Sequence, residues 1–101
     1  MNYSTATEEL TSGRPVRRKI WPKADFIFYH RPCTIDVSRL NESYIPPGII
    51  DVIKKSLGNG ENTIQSHGFV TEMKDGKLVS GWVPHSTDLF SNDWEIFTPV
   101  P

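Results

Sequence analysis

Eight prolines and seven glycines punctuate the 101-residue chain and restrict it to short elements joined by tight turns. Proline fixes φ and lacks an amide hydrogen, so it ends helices and central strands. Pro15 opens an extended run, and Pro22, Pro32 and Pro84 each end one. No repeat, low-complexity tract or linker interrupts the pattern. One domain over residues 1–101 is therefore expected.

Between these marks the elements follow. Thr5-Ala6-Thr7-Glu8 has capping-box spacing, and Gly13 supplies a stop, which predicts a helix at about 4–12 with Ala6 and Leu10 inward. Residues 16–21 alternate as a strand does. Residues 25–30, Asp-Phe-Ile-Phe-Tyr-His, give the strongest strand signal, and a short strand is expected at 34–37. Pro46 and Pro47 suit the opening of a helix at about 47–57. Ile49, Ile50, Ile53 and Leu57 fall on one of its faces, Gly58 is its expected cap, and Asn59-Gly60 a turn. Residues 63–73 read as a strand broken near Gly68, and Asp75-Gly76 joins it to 77–83 as a hairpin. Ser86 can cap one helical turn through Ser91, and 94–97 closes the chain as a strand. The class is α+β, with two short helices and a mainly antiparallel sheet of about five strands.

Composition narrows the function classes. Three Trp, five Phe and three Tyr supply core material, and a chain of this size hides roughly 65% of its unfolded surface. A net charge of −1 argues against a generally basic nucleic-acid binder and against an acidic tail. The single cysteine, Cys33, excludes an internal disulfide and a Cys-rich zinc site, fits a reducing compartment, and reads as a small buried apolar residue. No apolar run approaches the ~20 residues of a membrane span, and residues 1–10 do not read as a secretory signal. A small soluble intracellular protein is expected, a binding module or oligomer subunit before a self-sufficient enzyme.

The most informative segment is Gly81-Trp82-Val83-Pro84-His85-Ser86-Thr87-Asp88-Leu89-Phe90-Ser91-Asn92-Asp93-Trp94-Glu95. It resembles the closing signature of the second-type Thoeris anti-defence family of phages and prophages: Gly-Trp, a polar turn, Thr-Asp, a helical turn, Asp-Trp. The opening is similar too, with a helix from residue 4, Gly13, a basic strand and Trp21-Pro22. The resemblance covers about residues 1–30 and 68–97, and the stretch at about 38–62 reads as an insertion. It implies a sponge without catalysis, which binds glycocyclic ADP-ribose from an antiviral Toll/interleukin-receptor domain protein and holds it unaltered. Some members also hold cyclic oligonucleotides of the CBASS system at a separate site. It further implies a homotetramer with ligand pockets where protomers meet, acting in the cytoplasm of the infected bacterial host. No nucleic-acid polymer, membrane, metal or cofactor is expected as a partner.

A cyclic nucleotide offers purine faces, phosphates and ribose hydroxyls. These call for aromatic platforms, basic side chains or free amides, and carboxylate acceptors. Residues 14–23 hold Arg14, Arg17, Arg18, Lys19 and Lys23 and no acid. Arg17, Lys19 and Trp21 share strand parity and are candidates to line one face. The plain alternative is a solvated edge strand. Ser86, Thr87 and Asp88 form a polar turn that can meet phosphate or ribose; the alternative is helix capping by Ser86 or Thr87, with Asp88 in the first turn. Trp82 and Trp94 are expected as an apolar floor. Residues 78–101 carry Asp88, Asp93 and Glu95 but no Lys or Arg, so the two ends of the chain have opposite sign and can pair within the fold or across an interface.

Catalytic readings find little support. His85, Ser86 and Asp88 are adjacent in sequence, which rarely gives triad geometry, and no nucleophile elbow is present. His30 and Cys33 make at most half a metal site. No catalytic residue is assigned and the chain is read as a non-enzyme. The rivals to a sponge are a phage inhibitor that docks on a host defence protein and, behind it, a cyclic-nucleotide hydrolase.

Overall fold

The structure is a computed structural model that describes residues 1–58 and 60–99. They gather into two compact units, one of residues 1–31 with 68–99 and the other of residues 32–58 with 60–67. Each is described by itself.

The first unit opens with helix α1, Tyr3–Thr11. Asn2 caps it by accepting from the Thr5 amide at 2.9 Å. The helix ends at Gly13, whose φ of 99° is open to glycine at little cost. Strands β1 (Val16–Arg18) and β2 (Phe26–His30) follow. The unit is completed by strands β5 (Phe69–Lys74), β6 (Lys77–Ser80) and β7 (Trp94–Ile96) and a one-turn helix α3 (Ser86–Leu89). The five strands form one sheet in the order β6-β5-β2-β1-β7, antiparallel throughout. Asp75 (φ 52°) and Gly76 (φ 76°) both take positive φ, as a two-residue hairpin turn between β5 and β6 requires.

The core lies between α1 and the sheet. Ala6 and Leu10 pack with Val16, Ile27 and Trp94, as the helical spacing predicts. Val16 faces Ile27 on one neighbour and Ile96 on the other, which fixes the register of β1.

The second unit holds strands β3 (Cys33–Asp36) and β4 (Thr63–Ser66), paired antiparallel in a separate two-stranded sheet. A 3-10 turn at Val37–Arg39 follows β3, capped where Asp36 accepts from the Ser38 amide at 2.9 Å. Helix α2 spans Ile49–Ser56, so Leu57 rather than Gly58 caps it. Asn59, half of the expected Asn59-Gly60 turn, lies outside the described residues.

The α+β class holds: the main sheet has the five antiparallel strands expected, and β3 and β4 add a separate two-stranded sheet. The expected strand at 63–73 divides into β4 and β5 on either side of Gly68, in different sheets. The strand expected through Trp21 ends at Arg18, because the Trp21 amide donates back to the Arg18 carbonyl at 3.0 Å and closes a turn. Cys33 is exposed rather than buried, since its two-stranded sheet offers little to cover it.

Candidate functional site

The site begins with the chain returning from β6. The amides of Gly81 and Trp82 both donate to the Val70 carbonyl, at 3.0 and 2.8 Å, which sets the Trp82 ring beside the core. Trp21, Trp82 and Trp94 then meet edge to face, with centroids 5.3 to 6.2 Å apart. Such T-shaped contacts suit the ring quadrupoles. Trp94 is fully buried, while Trp21 and Trp82 are half-buried.

Asp88 ties the turn to this cluster. Its Oδ2 accepts from the His85 amide at 2.8 Å, its Oδ1 from Arg18 Nη1 at 3.0 Å, and its carbonyl from Trp94 Nε1 at 2.9 Å. His85 stands at the N-cap of α3, not Ser86 or Thr87. Arg18 also donates from Nε to Asp93 at 2.9 Å. Arg17 bonds to Glu95 at 2.6 Å. The opposite-sign ends of the chain therefore pair within the fold.

A cleft opens above the tryptophans. Trp21, Pro22, Asp25, Glu72, Lys74, Asp75, Trp82, Val83, His85 and Asp88 line it. Four carboxylates against one lysine and a histidine make it an acceptor-rich site with an aromatic wall. Asp25 is almost fully buried, and its Oδ1 takes the Asp75 amide at a long 3.4 Å. Burial pushes the Glu72 carboxyl above its ordinary value; Lys74 opposes this, and Asp25, Asp88 and Asp75 add to it. An arrangement of this kind can stack one planar ring and accept from hydroxyls or amines. A second, shallower cleft lies on the other side of the sheet, lined by Arg17, Lys23, Ala24, Glu95, Ile96, Phe97 and Thr98. Phe97 stacks there on Phe26 with centroids 4.1 Å apart.

Of the residues singled out in the sequence, Trp21 and Asp88 come together in the aromatic cleft. Arg17 lines the other one, and its guanidinium turns inward, bonded to Glu95 and to the carbonyls of Trp21, Pro22 and Asp25 at 2.6, 3.1 and 3.3 Å. Lys19 is exposed in the turn after β1, its amide held by the Asp93 carbonyl at 3.0 Å. Ser86 and Thr87 are exposed on α3, and neither lines these clefts. Asp25, Glu72, Lys74, Asp75 and His85, which also line the cleft, are not among the ligand contacts expected from the sequence. The available signal was parity: Glu72 and Lys74 alternate with Val70, which packs on the core, so they share its face.

Asp88 accepts the His85 backbone amide with Oδ2 and Arg18 with Oδ1, so the carboxylate orients the turn. Among the described residues no group of three or more His, Cys, Asp or Glu is placed to hold a metal ion, and no helix is long and apolar enough to cross a membrane.

Comparison with curated proteins gives no match. Comparison with protein families matches the Tad2-like model, described as Thoeris anti-defense 2-like domain, over residues 1–97. The match runs through the middle of the chain, which the opening and closing motifs leave out. With nearly its whole length matched, the chain belongs to the Thoeris anti-defense 2-like domain family.

Proposed function

We propose that this protein is an anti-defence sponge: it binds a cyclic nucleotide immune messenger, glycocyclic ADP-ribose or a relative, and keeps it from its effector without degrading it. The observation that carries the reading is the family match over residues 1–97. The aromatic cleft supports it. The Trp21 and Trp82 rings suit a purine, the carboxylates of Asp25, Glu72 and Asp75 suit ribose hydroxyls, and Lys74 is the cleft's cation for phosphate. Exposed Lys19 and the hydroxyls of Ser86 and Thr87 are further phosphate and ribose contacts, available where protomers meet. Arg17 acts behind them by fixing the Trp21-Pro22 turn.

Sequestration works by mass action, so the affinity is in the nanomolar range, about −12 kcal/mol. The protein works as a homotetramer in the cytoplasm of the infected host, without a nucleic-acid polymer, membrane or cofactor. The test is a calorimetric panel of glycocyclic ADP-ribose, cyclic ADP-ribose isomers and cyclic di- and trinucleotides, followed by heat release and mass measurement. The expected result is tight binding of at least one and its recovery at unchanged mass. Recovery of a cleaved product makes the protein an enzyme, and capture of a host polypeptide without nucleotide binding makes it a protein inhibitor.

A further inference from the structure

Asp25 is a carboxylate without a counter-charge. It is 6% exposed, and no lysine or arginine side chain pairs with it among the described residues. Arg17 reaches only its backbone carbonyl. Its Oδ1 takes the long bond from the Asp75 amide, and its Oδ2 accepts none among the described residues. Nor is that oxygen sealed in: among the described residues the enclosed, unpartnered side-chain atom is Asp93 Oδ2. Asp25 Oδ2 therefore meets open space, and the space that Asp25 lines is the aromatic cleft. A carboxylate buried this far is costly unless a donor reaches it.

A second carboxylate shares its face. Asp25 directly precedes β2, and Ile27 faces Glu72 across β5, so alternation puts Asp25, Ile27 and Glu72 on one side of the sheet. Burial, then the charges of Asp25, Asp88 and Asp75, push the Glu72 carboxyl up against the pull of Lys74. Asp88 is already held by Arg18, and Lys74 and Asp75 are exposed. Phosphate is thus repelled from Asp25 and Glu72 and left to Lys74. A ribose hydroxyl donates one hydrogen, whereas the exocyclic amine of a purine donates two in the plane of its ring. One amine can serve both carboxylates while its ring lies against Trp21 and Trp82.

We propose that Asp25 and Glu72 are the specificity-determining pair of this cleft: they accept the two hydrogens of a purine's exocyclic amine, such as adenine carries, and turn away the hypoxanthine counterpart. The inference rests on the messenger-binding reading above. It assigns the messenger's base to Asp25 and Glu72 and leaves Asp75 for ribose. Hypoxanthine has a carbonyl oxygen where adenine has the amine. That oxygen would face two carboxylates with no hydrogen between them, so the contacts that hold one base reject the other.

The experiment is titration calorimetry of the full chain with glycocyclic ADP-ribose and cyclic di-AMP, each beside its hypoxanthine form made by nitrous acid deamination. The wild type is expected to bind at least one adenine form about a hundredfold tighter than its hypoxanthine counterpart. Glu72→Gln and Asp25→Asn each replace a carboxylate by an amide whose NH2 can donate to the hypoxanthine oxygen. Each is expected to cut the preference about tenfold or more, weakening the adenine form and strengthening the other. A merely structural role would move both affinities together and leave their ratio unchanged. Thermal melts check the fold, and half-buried Glu72 decides the matter where Asp25→Asn fails to fold. A wild type that binds both forms of a messenger alike overturns the pair's role and leaves the sponge standing. A full preference retained by folded Glu72→Gln overturns it as well. Binding of neither adenine form also overturns it, and the remaining members of the messenger panel then decide the sponge separately.

Discussion

Arg18 in β1 and Asp88 in α3, 70 residues apart in sequence, meet at 3.0 Å with side chains only 9% and 6% exposed. A pair this dry is costly to break from one side, because the remaining charge keeps its desolvation cost and loses its partner. Asp88→Ala also frees the His85 amide. The variant is expected to lose about 3 kcal/mol of stability, a drop in melting temperature of roughly 12–24 °C for a domain this size. Thermal denaturation at low and high salt checks it, and the drop should be nearly the same in both, since screening acts weakly on buried pairs. A wild-type melting point would remove the pair from the scaffold.

Two carboxyls in this region respond to pH with opposite sign. For Asp93, burial acts upward, but the hydrogen bond and charge of Arg18 outweigh it and hold the group below its ordinary value of 3.8. Its stabilising contribution is present above that value and lost as pH falls through the lowered one. For Glu72, burial raises the group above 4.5. Stability tied to its protonated form is present below 4.5 and lost as pH rises through the raised value. Glu72→Gln is therefore expected to melt above the wild type at pH 7 and level with it near pH 4. Melting curves across that range decide it, and equal melting points throughout would refute the assigned environment of Glu72.

Trp21 belongs both to the packed trio and to the cleft wall. Trp21→Ala is expected to cost about 2–3 kcal/mol of stability, less than a fully buried ring. Trp21→Phe keeps most of the packing and gives up part of the stacking surface, and messenger affinity is expected to fall about tenfold. Calorimetry beside a thermal melt separates the two effects. Unchanged affinity in a folded Trp21→Phe or Trp21→Ala protein leaves Trp21 a purely structural residue.

Lys19 and Arg17 are expected to part company as salt is raised. Exposed Lys19 contributes a screened attraction, so Lys19→Ala weakens messenger binding and flattens its salt dependence. Arg17 bonds inward, to Glu95 and to three carbonyls. Arg17→Ala is expected to lower the melting point and leave the salt slope of the folded fraction as it was. A flattened slope in Arg17→Ala would mean that the guanidinium turns outward to the ligand.

A Cβ at position 68 would stand 2.1 Å from Tyr29 Oη and 2.6 Å from its ring carbon Cζ. Gly68→Ala should therefore displace the ring and cost on the order of 1–3 kcal/mol by overpacking. Tyr29→Phe leaves the ring carbon in the way and should relieve only part of that cost. Tyr29→Ala should abolish the penalty of Gly68→Ala, a coupling that a double-mutant cycle reads directly.

Local chemistry made much of this fold readable. The aromatic run at Phe26–His30, the Asp75-Gly76 hairpin and the helices at Tyr3–Thr11 and Ile49–Ser56 each carry their signal within a few residues. The end of β1 did not, because its turn is held by the carbonyl of Asp93 and by a guanidinium that Glu95 anchors. The same distance hid the character of residues 14–23. They read as a basic face until Asp88, Asp93 and Glu95 arrive from the far end of the chain and draw Arg17 and Arg18 inward. The cleft was half legible: Trp21 and Asp88 stood out as types, while Glu72 and Lys74 join them only through the pairing of β5 with β2.

The three indoles lie close enough to exchange excitation, with neighbouring centroids no more than 6.2 Å apart. Light absorbed by any of them is shared before it is emitted. A molecule stacked on Trp21 or Trp82 would then quench the emission of the whole trio, including buried Trp94. The chain contains no other tryptophan, so its intrinsic fluorescence reports occupancy of one place and needs no added label.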